Sequence, residues 1–351
     1  MTTGPAVVVT GASGMLGRAV ARTLAVGGSR VRTLQRSASG LAGTAAAPGR
    51  GTGGVEDVRL DLGACRPSEL ARALEGADAV VHLAAKVSVS GPWREYRRTN
   101  VDGTQRLLEA ARAAGVRRFV QVSSPSVAHA GDPLVGAPAG PADPAAARGR
   151  YARSKALAER AALAEDSPDL AVVAVRPHLV WGPGDTQLVA RVVERSRAGR
   201  LPLLGGGTAL VDSTYVDDAA EALVAACARA DRDGVHGRAL VVSSGEPRTV
   251  AELLASLCRA HGAPAPTRSV PAGLARAAGG LVEALWALRP LLGPEGPGSG
   301  DEPPMTRFLA EQLSTAHWFD QRETRRALGW APRVGLDEGF ARLAAAAGPT
   351  P

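Results

Sequence analysis

The chain has 351 residues, 45% of them hydrophobic and 21% charged, which excludes a disordered, collagen-like or coiled-coil chain and leaves room for one large domain or two moderate ones. It carries 41 Lys and Arg against 34 Asp and Glu, a net charge of +7. The arginines are spread out and aromatic residues make up only 3%, so there is no base-stacking platform and nucleic acid is not an expected partner.

Val7–Thr10 reads as a strand, and Leu16, Val20 and Leu24 mark one face of a following helix. Between them lies Thr10-Gly11-Ala12-Ser13-Gly14-Met15-Leu16-Gly17. Glycines at this spacing let the backbone turn tightly and approach a pyrophosphate, with the helix N-terminus facing the negative charge. A dinucleotide is therefore expected against Gly11, Ser13, Gly14, Met15, Leu16 and Gly17. The second strand, Arg30–Leu34, is followed by Gln35-Arg36 with no carboxylate to meet an adenosine 2′-hydroxyl. Arg36 can pair with a 2′-phosphate, so NADP(H) is favoured over NAD(H).

Ser37–Gly54, rich in Gly, Ala and Pro, reads as a flexible surface loop. Val55–Leu60 is a third strand, closed by Asp61 and Leu62 at the expected adenine edge. A helix over Ser68–Leu74, a strand over Ala79–Leu83 and a helix over Val101–Ala114 follow, then a strand over Arg118–Val122, a helix over Tyr151–Ala164 and a sixth strand over Ala171–Val175. Continuously apolar strands alternating with helices imply an α/β, doubly wound parallel sheet. Asp132–Arg150 is rich in Ala, Pro and Gly, and the family resemblance named below implies a substrate-covering loop there.

After Pro177 the alternation weakens, with Pro/Gly punctuation at Gly182-Pro183-Gly184, Leu201-Pro202 and Pro290 to Pro304. A helix over Asp217–Ala230 and a strand over Ala239–Val242 are expected to return to the sheet. Residues 1–180, with 212–245, form the expected dinucleotide-binding domain; 181–211 and 246–351 form a smaller substrate-binding lobe. Pro271–Leu288 reads as a packed helix or lid rather than a membrane-surface helix, because it lacks a basic polar face.

Tyr151-Ala152-Arg153-Ser154-Lys155 puts a phenol and an ammonium on one helix face. Tyrosine is a poor acid–base catalyst at its ordinary pKa near 10. A neighbouring ammonium and an oxidised nicotinamide both favour the phenolate. Ser124, after Val122-Ser123, sits at the carboxyl edge of the sheet, where it can hydrogen-bond the substrate oxygen. Lys86 and Lys155 are the chain's two lysines, which points to positions where a compact ammonium is needed. Cys65, Cys227 and Cys258 show no metal-ligand spacing, so neither a metal nor a disulfide framework is expected. The start runs directly into Val7-Val8-Val9 and no apolar stretch is long enough to span a bilayer, so a cytoplasmic location is expected.

Together these residues resemble the extended short-chain dehydrogenase/reductase superfamily, nearly from end to end. The pattern continues in His82-Leu83-Ala84-Ala85, Asn100-Val101-Asp102-Gly103-Thr104, Arg176-Pro177-His178, Trp181-Gly182-Pro183-Gly184-Asp185 and Tyr215-Val216-Asp217-Asp218. Within the superfamily the chain is similar to the 3β-hydroxysteroid dehydrogenase branch, most of all to sterol-4-carboxylate 3-dehydrogenases and 2-alkyl-3-oxoalkanoate reductases. Ser123-Ser124-Pro125-Ser126-Val127, Arg176 to Trp181, Glu302-Pro303-Pro304-Met305-Thr306-Arg307-Phe308, His317-Trp318-Phe319-Asp320 and Leu328-Gly329-Trp330 carry that likeness.

The resemblance implies a Rossmann fold in which Ser124, Tyr151 and Lys155 are catalytic and Asn100 orders the site. Leu83, Ala84, Ala85, Lys86 and Val122 would line the cofactor, and Pro177 and His178 would pass the nicotinamide amide. It also implies a homodimer and interconversion of a ketone and a secondary alcohol on a small lipophilic substrate, such as a 3-oxo acid with an alkyl branch or a 3-hydroxysteroid. Two alternatives stay open: a nucleotide-sugar epimerase or dehydratase with bound NAD, and a non-catalytic dinucleotide-binding sensor.

Overall fold

The computed structural model describes residues 4–41, 43, 54–88, 91–288 and 307–348. Most of the Gly/Ala/Pro-rich stretch before Gly54, the punctuation from Pro290 to Pro304 and the motif residues Glu302 to Thr306 lie outside the described residues.

Val7 and Val9 enter one hydrophobic core while Val8 enters another. This period-2 alternation with both faces buried is the mark of a strand inside a parallel sheet. Seven such strands form the sheet: β1 (Ala6–Thr10), β2 (Arg30–Gln35), β3 (Val55–Arg59), β4 (Ala79–His82), β5 (Arg118–Val122), β6 (Ala171–Pro177) and β7 (Arg238–Val242). Their order is β7-β6-β5-β4-β1-β2-β3, and every pairing is parallel. The expected doubly wound α/β fold is the one observed. The chain reverses direction across the sheet between β1 and β4, and the crevice at that switch point is where such sheets bind ligands.

Helices α1 (Met15–Val26), α2 (Pro67–Leu74), α3 (Gly103–Ala113), α4 (Gly149–Ala164) and α6 (Val216–Arg229) match the expected helices within a residue or two, and α5 (Leu188–Arg197) joins them without having been foreseen. Val20 and Leu24 of α1 and Leu223 of α6 seal one face of the sheet; Leu70, Leu107 and Ala162 seal the other. Each fully buried Val or Leu in these layers is worth roughly 1.5–3 kcal/mol over exposure.

Ahead of α3, Arg97–Asp102 winds as a π-helix, which the apolar periodicity did not foreshadow. The segment read as a covering loop holds a strand, Leu134–Ala137, that pairs in parallel with His317–Phe319 in a four-stranded sheet completed by Leu210–Val211 and Arg248–Thr249. A third core, around Trp181, Val192, Leu253 and Leu257, lies beneath α5 and the helix Val250–Arg259. Leu328 and Trp330, far along the chain, return to the first core beside β1. Among the described residues no helix is long and apolar enough to cross a membrane.

Four of the histidines, His82, His129, His178 and His317, are buried, and burial holds all four pKa values below the ordinary one, that of His82 at about 3. The unfolded chain takes up protons on these groups below about pH 6.5, whereas the folded chain does not. Stability is therefore complete above that pH and falls as pH drops, by about 1.4 kcal/mol per pH unit for each site still neutral in the fold. His236 acts in the opposite sense through Asp166, but it is half-exposed and contributes little. Urea midpoints recorded from pH 7.5 to 5 are expected to decline steeply below 6.5; a flat profile would contradict this reading.

Candidate active site

At the switch point the backbone itself builds the floor. Gly11 has φ +77°, and a Cβ there would stand 2.8 Å from the Ala84 nitrogen. At Gly17 a Cβ would meet the Gly11 carbonyl oxygen at 2.3 Å, so α1 can lie this close to β1 only without a side chain. The N-terminus of α1 is capped by no side chain and has no acidic residue in its first turn. Its N–H groups thus open onto the cleft, a ready seat for pyrophosphate.

The cleft encloses about 1090 Å³, at the upper end of the range for ligand sites and room enough for a dinucleotide with a substrate. Gly11, Ser13, Gly14, Met15, Leu16, Gly17, Arg36, Asp61, Leu62, Leu83, Ala84, Ala85, Lys86, Val122, Ser124, Tyr151, Lys155 and Pro177 all line it. Two residues expected at the cleft are set back from it. Asn100 is buried behind the wall, and the His178 imidazole lies against His317 at 3.1 Å and edge-on to Phe319 instead of facing the cofactor site.

Asn100 sits in the π-helix and ties two segments together. Its amide nitrogen donates to the Lys86 carbonyl at 3.1 Å and to Ser154 Oγ at 2.8 Å, and its oxygen accepts from the Lys86 N–H at 2.7 Å. Ser154 Oγ in turn donates to the Tyr151 carbonyl. The loop bearing Lys86 and the helix bearing Tyr151 are therefore set by one side chain. A second buried chain fixes the His82 tautomer. Thr104 Oγ spends its proton on the Asn100 carbonyl, so at 2.9 Å it must accept from His82 Nε2. His82 Nδ1 is then the acceptor for Thr10 Oγ, which itself accepts the Ala84 N–H.

Ser124 caps the 3-10 turn Pro125–Ala128, accepting from the Ser126 N–H and sharing a 2.9 Å contact with Ser126 Oγ. When Ser126 Oγ donates across that contact, the Ser124 proton is left for a ligand oxygen. Ser123 also lines the cleft, and among the described residues its hydroxyl has no hydrogen-bond partner. No pattern in a single sequence separates it from an ordinary turn serine.

The Lys155 ammonium is buried and donates to the Val122 carbonyl, and burial brings its pKa down to about 8 against the pull of Glu159. The Tyr151 phenol is shifted the other way from the phenolate expected beside an ammonium: burial pushes it up to about 12. A phenol that holds its proton at neutral pH is a proton donor, the state required to reduce a carbonyl.

The rest of the wall was not foreseen. On one side Arg94, Glu95, Arg98 and Thr99 line the cleft, with Lys86 ion-paired to Glu95 at 3.0 Å. On the other, Leu188, Arg191, Val192 and Arg195 face it from α5, with Leu179, Leu201, Leu254 and Leu313 completing an apolar compartment.

A glycine-cradled helix terminus at the switch point of a parallel sheet, with serine, tyrosine and lysine gathered beside it, defines an extended short-chain dehydrogenase/reductase. The chain belongs to the NAD dependent epimerase/dehydratase family, whose sequence pattern matches residues 7–243. It is 40% identical over 342 residues to a 2-alkyl-3-oxoalkanoate reductase of Stenotrophomonas maltophilia, covering 97% of this chain and 98% of that one. It is 31% identical to a 4-hydroxy-2-methyl-3-oxo-4-farnesyl-3,4-dihydroquinoline-1-oxide ketoreductase of Stigmatella aurantiaca, over 95% and 94% of the two chains. Among solved structures it resembles MoeE5 in complex with UDP-glucose and NAD, with a TM-score of 0.68, 27% identity and 98% of each chain covered. The resemblance read from the motifs is borne out, and the protein is an oxidoreductase of the hydroxyl/keto class.

Proposed function

We propose that the protein is an NADP(H)-preferring ketoreductase whose substrate is lipophilic, a 3-oxo acid with an alkyl branch fitting best. The observation that carries this is the position of Ser124, Tyr151 and Lys155, in one cleft between the glycine cradle and an apolar compartment. Nucleotide sugars offer little to bury against a wall of Leu179, Leu188, Leu201, Leu254 and Leu313. A branched alkyl chain gains about 0.8 kcal/mol there for each CH₂ removed from water. The names of the two reductase relatives support the same class.

Gly11, Gly14 and the N-terminus of α1 would hold the pyrophosphate, Arg36 the 2′-phosphate, Asp61 and Leu62 the adenine edge, and Lys155 the nicotinamide ribose. When bound, the reduced dinucleotide supplies the hydride that adds to the carbonyl carbon. Ser124 donates a hydrogen bond to the carbonyl oxygen, and Tyr151 gives that oxygen its proton, yielding the secondary alcohol. Asn100 acts as a positioning residue, holding Lys86 and the Tyr151 helix in register.

The test is oxidation of NADPH and NADH by the purified protein with a 2-alkyl-3-oxo acid and with a 3-ketosteroid. Turnover of the acid with NADPH supports the reading. No turnover of either compound, with NAD retained through purification, would move the search to nucleotide sugars, the class MoeE5 binds. Arg36→Ala is expected to weaken NADPH binding about ten- to a hundredfold, the worth of one charge-assisted contact, with little effect on NADH. Fluorescence titration with each dinucleotide measures it.

A further inference from the structure

Among the described residues Leu179 alone outside the glycines has a positive φ, +39°. In that left-handed region a Cβ crowds the carbonyl oxygen that follows it, so leucine there is strained. Such strain persists only where the surroundings over-determine the backbone. Here they do. The His178 N–H donates to the Val242 carbonyl at 2.9 Å, and Thr214 takes the next two carbonyls, its Oγ donating to that of His178 at 2.7 Å and its N–H to that of Leu179 at 3.2 Å. Val180–Trp181 then pairs in parallel with Thr214–Tyr215, and Trp181 is fully buried and stacked on Phe340 with ring centroids 4.5 Å apart. The chain is pinned on both sides of Leu179, and the turn between places it on the cleft wall with Leu188, Leu201, Leu254 and Leu313. Pro177, two residues earlier and so within about 7 Å along the backbone, lines the same cleft at the expected nicotinamide edge.

We infer that Leu179 is a specificity-determining residue for the alkyl branch of the substrate, held in a strained turn so that its side chain meets that branch beside the reacting carbonyl. This rests on the ketoreductase reading above and adds to it the residue that distinguishes a long branch from a short one. A glycine would fit the turn without strain but would leave the wall bare at this point. Each CH₂ of the branch covered by leucine is worth about fourfold in affinity, whereas a glycine or alanine leaves several of them uncovered.

Two measurements test it on the full chain. The first compares kcat/KM for 3-oxodecanoates bearing a methyl or an octyl group at C2, in the wild type, Leu179→Ala, Leu179→Gly and, as control, Leu274→Gln, an exposed leucine that does not line the cleft. The wild type is expected to favour the octyl compound at least tenfold, and both Leu179 variants to lose about tenfold more with octyl than with methyl; the control keeps the wild-type ratio. Equal losses on both compounds, or the wild-type ratio in both variants, would overturn the assignment. The same proteins report the strain. At an ordinary position glycine is less stable than alanine, whereas here the thermal midpoint of Leu179→Gly should exceed that of Leu179→Ala by about 2 °C. A midpoint at or below the alanine value would overturn the strained turn on which the inference stands. The second measurement is calorimetric binding of 2-methyldecanoate and 2-octyldecanoate, which lack the ketone. A Leu179-dependent preference for the octyl compound in a protein that reduces neither ketone would uphold the wall residue and defeat the ketoreductase reading instead. No preference in a protein that does reduce them would overturn the inference and leave that reading standing.

Discussion

Tyr151→Phe is expected to lower kcat for ketone reduction by about 10²- to 10⁴-fold, the usual contribution of a positioned proton donor. The phenol holds its proton far above neutrality, so in the reducing direction it is always loaded. Removing one oxygen leaves the helix around it intact, since Ala152, Ser154 and Lys155 are fixed by their own burial and hydrogen bonds. NADPH affinity and thermal midpoint should therefore match the wild type within error. A variant retaining more than a tenth of wild-type turnover would show that some other group delivers the proton, with Ser124 the first to examine.

The second large effect is structural. Arg176 and Glu159 are each about 1% exposed and meet in a bidentate pair, with Nε to Oε2 at 2.9 Å and Nη2 to Oε1 at 2.5 Å. The remaining guanidinium nitrogen donates to the carbonyls of Ala139 and Gly140. Glu159→Ala would leave a buried cation with carbonyls alone, and a loss of about 3–5 kcal/mol is expected. That is a large part of the 5–15 kcal/mol that holds an ordinary domain together. Replacing the pair together, Glu159→Leu with Arg176→Met, should recover much of it, because desolvation of both ions is then avoided. Urea unfolding of the three proteins measures the coupling. If the single and double variants unfold at the same midpoint, the pair is not what secures this region.

The pair also shows what a sequence reveals and what it hides. The glycine cradle was legible because close backbone approach admits only one residue type, and the strands because burial on both faces forces unbroken apolar runs such as Val7 to Val9. Tyr151 and Lys155 were legible through their spacing on a helix. Leu134–Ala137 was not: it is four residues long, contains a glycine, and finds its partner in His317–Phe319, far along the chain. Arg176 appeared as part of a motif, yet nothing local told that it would be buried against Glu159. Within the π-helix the Asn100 side chain bridges to the Lys86 backbone, and periodicity carries no trace of such a bridge. Arg191 and Arg195 of the cleft wall drew no notice, because spacing cannot separate a helix face turned to water from one turned to a cleft. His178 came from family likeness, and here its ring is claimed by His317 and Phe319.

Both lysines of the chain border the same cleft, one of them with its pKa brought down to about 8. Side-chain primary amines are thus concentrated at the place where ligand enters. An acylating reagent applied at pH 8 becomes a footprinting probe with two side-chain targets, and mass spectrometry would read occupancy of the cleft directly from Lys86 and Lys155. Protection of both by NADPH is the expected pattern. Immobilisation through lysine side chains, routine for lysine-rich proteins, would couple this one at its own cleft.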